Sequence, residues 1–268
     1  MAVCDINLYS RALRRRVSVT AIVPLERAED DADAPVEEGP LRSLYLLHGF
    51  TGAGRDWVEN TEVCRLAQRY RVTVIMPDGE NSFYVDSPGH GHWERFVAEE
   101  LVDFTRRLLP LSDDPHLTYV AGNSMGGFGA LNVGLGHPET FGGVAALSPA
   151  LVLDRIADVG EGFEDGVADY AYYASVFGDL DRVVGGPLDP RSRLRRAVSE
   201  NRQPRMWMSC GTEDSLLDVD RDFASYARSL GARFVYRESA GTHDWDYWSR
   251  MLEQVFVWMC AGHGADKE

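Results

Sequence analysis

One serine of the sequence stands in a setting that suits nucleophilic catalysis. Gly122-Asn-Ser-Met-Gly126 fits the pattern G-x-S-x-G and follows the strand-like run Leu-Thr-Tyr-Val-Ala at 117–121. A catalytic serine needs a sharp strand-to-helix turn that lifts its hydroxyl clear of the sheet, and flanking glycines permit that crowded backbone. No Gly-Lys-Ser/Thr follows, which argues against a phosphate-binding loop. The pattern predicts Ser124 as a nucleophile; the alternative is a plain glycine bend.

Two residues downstream of the serine can complete this chemistry. A serine hydroxyl is a weak nucleophile, so it needs a histidine that takes its proton and a carboxylate that orients the histidine. Both are expected after the serine in the chain, on loops that follow strands. Asp214 follows the apolar run at 205–210, and His243 follows the run at 233–238. We predict Asp214 as the orienting acid and His243 as the general base.

Other acids and histidines could be chosen instead. Glu213 is adjacent to Asp214, and Asp218 and Asp220 lie in the next helical pattern, where acids are typical of a helix start or of the surface. The sequence Gly-His-Gly-His-Trp at 89–93 suggests a metal-binding histidine pair. No third ligand at a fitting spacing accompanies this pair, so no metal is predicted.

A backbone site for the developing negative charge is also predicted. Ester cleavage places charge on the carbonyl oxygen, and preorganised N–H groups must meet it. One donor is the amide after the nucleophile, Met125, and the other comes from the loop after an early strand. The stretch 44–52, Leu-Tyr-Leu-Leu-His-Gly-Phe-Thr-Gly, supplies that loop, with Phe50 as the donor. His48 is expected to hydrogen-bond within the loop; the alternative is a simple strand exit.

These residues require a scaffold of alternating strands and helices. Short apolar runs alternate with helical patterns, which predicts a mostly parallel sheet flanked by helices. The predicted strands are 17–23, 43–47, 72–76, 117–121, 143–147, 205–210 and 233–238, with an antiparallel edge at 3–9. The predicted helices are 61–69, 92–109, 125–135, 215–230 and 245–258.

The chain is predicted to form one domain with a small cap-like insertion. Between about 151 and 202 the pattern weakens into Gly- and Asp-rich turns around 170–177. We expect this insertion to lie over the carboxyl edge of the sheet, where it could cover a pocket. The segment 26–40 has seven acids and two prolines without periodicity, which is typical of a solvated loop.

Composition limits the partners and the chemistry. Acidic residues outnumber basic ones by 42 to 27, and the net charge of −15 disfavours nucleic acid and anionic membranes as partners. Lys267 is the only lysine, which excludes Schiff-base chemistry at any other position. The sequence lacks a signal-peptide pattern at its start, a run of about 18 apolar residues and paired cysteine motifs, so a cytoplasmic location is expected.

With these motifs in place, the sequence resembles the esterase D-like branch of the α/β hydrolases, closest to the tributyrin esterase (acetylesterase) group. The likeness covers nearly the whole chain. It rests on Tyr-Leu-Leu-His-Gly at 45–49, Asp-Trp at 56–57, Asn-Ser-Phe-Tyr at 81–84, Ala-Glu-Glu-Leu at 98–101, Ser-Met-Gly-Gly at 124–127, Cys-Gly-Thr-Glu-Asp at 210–214 and His-Asp-Trp-Asp-Tyr-Trp at 243–248. The resemblance implies an α/β-hydrolase fold and the triad Ser124, Asp214 and His243.

The resemblance also implies a substrate class. It points to hydrolysis of short acyl esters, acetyl to butyryl, of simple alkyl, aryl or sugar alcohols, without a cofactor, in a family where homo-oligomers are frequent. The sequence departs from the family pattern at Asn123, where Leu or His is more usual. Five aromatic residues could line an acyl or aryl pocket or belong to the core: Trp57, Tyr84, Trp93, Trp245 and Trp248. Of these, Trp57, Tyr84 and Trp245 are predicted to bind substrate.

Three other functions are compatible with the sequence. An S-formylglutathione hydrolase would use the same machinery on a thioester, and a comparison of formylglutathione with simple esters separates the two. An acyltransferase would reveal itself by acyl products with added alcohols. A non-catalytic binder would keep the fold without turnover, which the complete set of catalytic residues disfavours.

Overall fold

A central sheet of eight strands organises the fold. The computed structural model describes residues 1–25, 39–87 and 89–261. The strands, numbered along the chain, are β1 Ala2–Ser10, β2 Arg15–Val23, β3 Arg42–Leu47, β4 Val72–Pro77, β5 Thr118–Asn123, β6 Gly143–Leu147, β7 Arg205–Gly211 and β8 Phe234–Ser239. Every predicted strand is present, with ends within two residues of the predicted ones.

The topology brings the predicted site residues to one edge of the sheet. The strand order is β1-β2-β4-β3-β5-β6-β7-β8. β2 pairs antiparallel with β1 and β4, and all the other neighbours are parallel, as predicted. Parallel strands end at a common edge, and the loops that leave β3, β5, β7 and β8 there carry Phe50, Ser124, Asp214 and His243.

Helices connect the strands. They are α1 Asp56–Asn60, α2 Val63–Tyr70, α3 Trp93–Arg95, α4 Val102–Leu108, α5 Met125–Gly136, α6 Leu153–Ile156, α7 Tyr170–Phe177, α8 Pro190–Ser199, α9 Leu217–Ser229 and α10 Trp245–Cys260, with 3-10 turns at Pro115–Leu117 and Leu180–Arg182. The prediction of one helix over 92–109 is wrong in its middle, because the π-helical segment Phe96–Leu101 separates α3 from α4. A π-helical segment adds a residue per turn and interrupts the 3.6-residue period on which the prediction rests.

Two apolar clusters pack against the sheet. Side chains alternate along a strand, so β3 contributes Tyr45 to one cluster and Leu46 to the other. α5 and α8 belong to the first cluster, whereas α2 and α10 belong to the second. Small residues let α5 approach the sheet closely: a Cβ on Gly134 would lie 2.2 Å from the Val144 side chain. The helix that begins after the predicted nucleophile is therefore held tightly by its surroundings.

The predicted insertion, residues 151–202, contains α6, α7 and α8 and is tied to the rest of the protein. Asp169 caps α7 by accepting a hydrogen bond from the Tyr172 N–H at 2.8 Å. Arg193 of α8 donates two hydrogen bonds to Glu94 of α3, at 2.5 and 2.8 Å. We call residues 151–202 the 151–202 segment.

The two-residue strands Asp86–Ser87 and Gly91–His92 pair as a small antiparallel ribbon. Most of the predicted acidic loop at 26–40 lies outside the described residues. Within the described ranges, no helix combines the length and the apolar character needed to cross a bilayer.

Candidate active site

Ser124 occupies the sharp turn between β5 and α5. Its backbone has φ 53° and ψ −118°, a strained combination for a residue with a side chain. Its N–H donates to the Leu147 carbonyl at 2.9 Å. A Cβ on Gly122 would lie 2.4 Å from the Gly126 backbone, and one on Gly126 would lie 2.3 Å from the Leu47 carbonyl oxygen. Both glycines of the sequence pattern are therefore required for close backbone approach.

Ser124, His243 and Asp214 form one hydrogen-bonded chain. His243 Nε2 lies 2.9 Å from Ser124 Oγ, and His243 Nδ1 lies 2.9 Å from Asp214 Oδ2. The Asp214 side chain is fully shielded from solvent, whereas the His243 side chain is 31% exposed. This arrangement lets one imidazole nitrogen exchange a proton with the serine while the carboxylate fixes the other nitrogen. The structure thus brings together the three residues that the sequence analysis selected.

The surroundings of Asp214 keep it ionised. Burial alone would raise its pKa, but hydrogen bonds from His243 and from the Leu216 N–H outweigh burial and lower the pKa of Asp214. The Leu216 N–H donates to Asp214 Oδ1 at 2.9 Å, so the two carboxylate oxygens have separate partners. A charged acceptor is therefore available to hold the imidazole N–H of His243.

The neighbouring acids have other surroundings. Glu213 is exposed and accepts a hydrogen bond from the Gly241 N–H at 2.6 Å. The Asp218 side chain is 97% exposed, in agreement with the expected surface acid at a helix start. Neither residue is the acid that contacts His243; that contact belongs to Asp214.

The expectation that Asp220 is an acid of the surface is wrong, because the structure buries it. It is fully buried, and burial raises its pKa well above the usual range, which favours the neutral acid. The Cys210 thiol lies beside it. A helical spacing could have revealed this position, because the buried residues of α9 are Asp220, Phe223, Ala224 and Ala227.

The loop after β3 is held by the ring of His48. His48 is fully buried, its Nδ1 lies 2.7 Å from the Gly49 carbonyl, and its Nε2 accepts the Gly79 N–H at 2.8 Å. Burial lowers the pKa of His48, which favours the neutral ring that this pair of contacts requires. The expected role of His48 within the loop is confirmed. Phe50, the predicted amide donor, lies two residues further on and is half-buried.

The three preferred pocket aromatics lie in different environments. Trp57 and Tyr84, which the sequence predicts as substrate-binding residues, are fully buried and have no exposed surface in the structure. Trp57 packs edge-on against Trp245, with ring centroids 5.1 Å apart. Trp245 is half-buried and packs on Trp248, whose ring lies edge-on to the imidazole of His243 at 4.9 Å. Of the three, only Trp245 keeps exposed surface.

The sequence analysis did not identify Tyr172 of α7, which lies beside the predicted oxyanion loop. Its ring packs edge-on against Phe50 at 5.4 Å, and its hydroxyl donates to the Asn81 carbonyl at 2.6 Å. Asn81 belongs to the Asn-Ser-Phe-Tyr motif at 81–84, which supported the resemblance but did not indicate what Asn81 contacts. Tyr172 is 122 residues from Phe50 in the chain, and no local pattern connects them.

The two histidines of the 89–93 motif have protein partners. His90 Nε2 lies 2.8 Å from Ser175 Oγ, and His92 Nδ1 lies 3.5 Å from Asp86 Oδ2. Across residues 1–25, 39–87 and 89–261, no group of three or more His, Cys, Asp or Glu side chains is arranged to hold a metal ion.

Comparisons with known proteins identify the family of this chain. The sequence model of the Esterase family, described as "Putative esterase", matches residues 32–259. The chain belongs to the Esterase family. It is 36% identical to the acetyl esterase of Caldicellulosiruptor saccharolyticus over 261 residues, which is 97% of this chain and 98% of the relative. This member of the Esterase family is a carboxylic ester hydrolase.

Two solved structures share the architecture of this esterase. FphF, a fluorophosphonate-binding serine hydrolase of Staphylococcus aureus, has a TM-score of 0.84 at 26% identity, over 97% of this chain and 98% of that chain. The S-formylglutathione hydrolase FrmB of the same organism has a TM-score of 0.82 at 26% identity, over 97% and 99%. The predicted α/β-hydrolase fold is confirmed.

Proposed function

We propose that this esterase hydrolyses short-chain acyl esters through an acyl-enzyme on Ser124. The observation that carries the proposal is the hydrogen-bonded chain from Asp214 through His243 to Ser124. The acetyl esterase relative, similar over nearly the full length of both chains, supports an acyl group at the short end, acetyl to butyryl. The alcohol is a simple alkyl, aryl or sugar alcohol.

In the first half-reaction, Ser124 Oγ attacks the ester carbonyl carbon while its proton passes to His243 Nε2. The new Oγ–C bond forms as the carbonyl electron pair moves onto oxygen, and the amides of Phe50 and Met125 stabilise this oxyanion. Met125 is the first residue of α5, where an N–H has no acceptor inside the helix. The C–O bond to the alcohol then breaks, and the alcohol leaves with the proton from His243.

In the second half-reaction, water takes the place of the alcohol. His243 removes a proton from the water, whose oxygen attacks the acyl carbon, and the same two amides hold the second oxyanion. The bond to Ser124 breaks, the serine regains its proton from His243, and the carboxylic acid leaves. Asp214 remains ionised throughout and stabilises the imidazolium that forms twice.

The test is a panel of p-nitrophenyl esters from acetate to long acyl chains, assayed with the wild type, Ser124→Ala and the surface control Ser229→Ala. We expect the fastest release at acetate to butyrate, a loss of about 10⁴-fold or more in Ser124→Ala, and wild-type rates in the control. Release that survives in Ser124→Ala, or a folded wild type that is inactive on every ester, would contradict the proposal.

One observation favours a second candidate, an S-formylglutathione hydrolase. FrmB covers 97% of this chain with a TM-score of 0.82. The same residues could cleave a thioester, with a thiol instead of an alcohol as the leaving group. A kcat/KM that is higher for S-formylglutathione than for p-nitrophenyl acetate would favour this candidate over the simple esterase.

A further inference from the structure

A tight turn lies against the predicted oxyanion loop and holds it by hydrogen bonds. We call residues 79–84 the 79–84 turn. Its Gly79 N–H donates to His48 Nε2 at 2.8 Å, and its Tyr84 hydroxyl donates to the His48 carbonyl at 3.1 Å. Its Asn81 Oδ1 accepts the Thr51 N–H at 2.7 Å. These three bonds fix the loop on both sides of Phe50.

The turn is built from strained residues. Three of its non-glycine residues have positive φ: Glu80 at 48°, Phe83 at 50° and Tyr84 at 55°; so does Thr51 in the loop that it contacts, at 63°. Each such residue costs about 1–2 kcal/mol, so the conformation persists only where its surroundings enforce it. Strain of this kind is concentrated at functional sites. Here strained residues lie both in the 79–84 turn and in the oxyanion loop to which its hydrogen bonds connect it.

Packing fixes the Tyr84 hydroxyl in place. A Cβ on Gly79 would lie 2.2 Å from the Tyr84 ring, and one on Gly129 of α5 would lie 2.5 Å from it. The ring is thus confined between its own turn and the helix that begins after Ser124. Burial raises the pKa of Tyr84, which keeps the hydroxyl protonated as a donor.

The 151–202 segment contacts the same assembly. The Tyr172 hydroxyl of α7 donates to the Asn81 carbonyl at 2.6 Å, while the Tyr172 ring packs on Phe50 at 5.4 Å. Asn81 therefore has two partners: its side chain holds the oxyanion loop, and its backbone holds α7.

From these contacts we infer that Asn81 and Tyr84 are positioning residues of the oxyanion hole, and that Tyr172 couples the 151–202 segment to it. The inference rests on the proposed function, because it assigns supports to the Phe50 amide. None of these three residues donates to the oxyanion. They act through the loop, by fixing where the Phe50 N–H points before the substrate binds.

The expected cost follows from the need for preorganised donors. A donor that is displaced by about 1 Å can cost about 100-fold in rate, even when the mutated residue lies outside the chemistry. The ester in its ground state needs the donor far less than the oxyanion does. Loss of a support should therefore lower kcat and leave KM nearly unchanged.

The experiment compares Asn81→Ala, Tyr84→Phe and Tyr172→Phe with a matched control, Tyr45→Phe. The Tyr45 hydroxyl is also fully buried and hydrogen-bonded, to Thr105 Oγ1 at 2.7 Å, but it has no contact with the loop in the described hydrogen bonds. We measure kcat and KM on p-nitrophenyl acetate and the Kd of phenylboronic acid, which forms a tetrahedral adduct on the serine.

For Asn81→Ala and Tyr84→Phe we expect kcat to fall about 10–100-fold, KM to change less than about 3-fold, and boronate affinity to fall with kcat. Tyr172→Phe should show the same pattern at smaller size, and Tyr45→Phe should lower only the melting temperature. If Tyr84→Phe does not fold, the partly exposed Asn81 and Tyr172 still decide the result.

Each contrary outcome has its own meaning. If the wild type hydrolyses the ester in a Ser124-dependent way while Asn81→Ala and Tyr172→Phe keep wild-type kcat and boronate affinity, the inference is wrong and the proposed function stands. If Tyr45→Phe loses kcat as Tyr84→Phe does, the effect is general destabilisation and the inference is again wrong. If the wild type shows no Ser124-dependent hydrolysis, both fall together.

Discussion

Arg193→Met should destabilise the protein strongly, because it breaks a buried ion pair that joins the 151–202 segment to α3. The side chains of Arg193 and Glu94 are only 11% and 12% exposed, and the guanidinium donates to both carboxylate oxygens, at 2.5 and 2.8 Å. Arg193 also donates to the carbonyls of Asn132 and Pro187, at 2.8 and 2.7 Å. Methionine fills much of the same volume but offers none of these four hydrogen bonds.

The magnitude follows from the charge left behind. Removal of one partner of a buried pair costs about 3–5 kcal/mol, because the other charge stays buried without compensation. His137 Nε2, 3.2 Å from Glu94 Oε1, supplies part of the missing compensation. We therefore expect a loss of about 3–4 kcal/mol in the free energy of unfolding, or roughly 6–16 °C in Tm for a protein of this size.

Urea unfolding monitored by circular dichroism measures this loss, with Arg95→Met as the control. Arg95 pairs with Glu99, but both side chains are more than half exposed, at 59% and 57%, so its loss should cost below about 1 kcal/mol. Replacing both buried partners, Arg193→Met with Glu94→Leu, should recover at least about 1 kcal/mol over Arg193→Met alone. A loss for Arg193→Met that is no larger than the loss for Arg95→Met would show that the buried pair does not stabilise the fold.

The same network predicts a pH dependence of stability. The hydrogen bond to Glu94 raises the pKa of His137 above 6.5, so its contribution is full below about pH 6.5 and is lost as pH rises through the folded-state value. Burial would raise the pKa of Glu94, but His137 and Arg193 lower it below 4.5, so its contribution is lost as pH falls below about 4.5. The stability difference between wild type and His137→Gln should peak at about pH 5.5 and shrink by about pH 8; a constant difference would contradict this account.

Two further substitutions test the acids near the site. Asp214→Asn should lower kcat by about 10⁴-fold in the ester assay, because an amide can stabilise the wrong tautomer of the imidazole, whereas Glu213→Gln should keep kcat; equal effects would contradict the assignment. Asp220→Asn should gain stability over the wild type as pH rises from about 5 to 8, because the buried acid holds a proton that the unfolded chain releases. Asp218→Asn is the exposed control, and urea unfolding that shows no such gain for Asp220→Asn would contradict its neutral state.

The positions of Ser124, Asp214 and His243 at one edge of the sheet could be predicted because they depend on local signals. Ser124, Asp214 and His243 each follow a predicted strand, and a parallel sheet brings the ends of such strands to one edge. These three residues, which the structure joins by hydrogen bonds, could each be selected from the sequence immediately around them. The sequence indicated less about Asn81, because its motif supported the family resemblance but did not predict its hydrogen bonds.

Burial and long-range contacts could not be predicted in the same way. Trp57 and Tyr84 are aromatic, but residue type does not distinguish a pocket wall from a core position, and both are fully buried. Asp220 is acidic, and acidic residues are usually expected at the surface. Only the helical spacing of the buried residues of α9 indicates that Asp220 lies on the buried face. The pair of Arg193 and Glu94 joins residues 99 apart in the chain, which no periodicity indicates.

In the proposed reaction Ser124 carries the acyl group, and trapping the acyl-enzyme shows whether it does. The wild type and Ser124→Ala are mixed with p-nitrophenyl acetate, quenched in acid within the first turnovers and examined by intact-protein and peptide mass spectrometry. We predict a wild-type mass increase of one acetyl group, located on the peptide that contains Ser124, and no increase in Ser124→Ala. An acetyl group on another residue, or turnover of the ester by Ser124→Ala, would contradict an acyl-enzyme on Ser124.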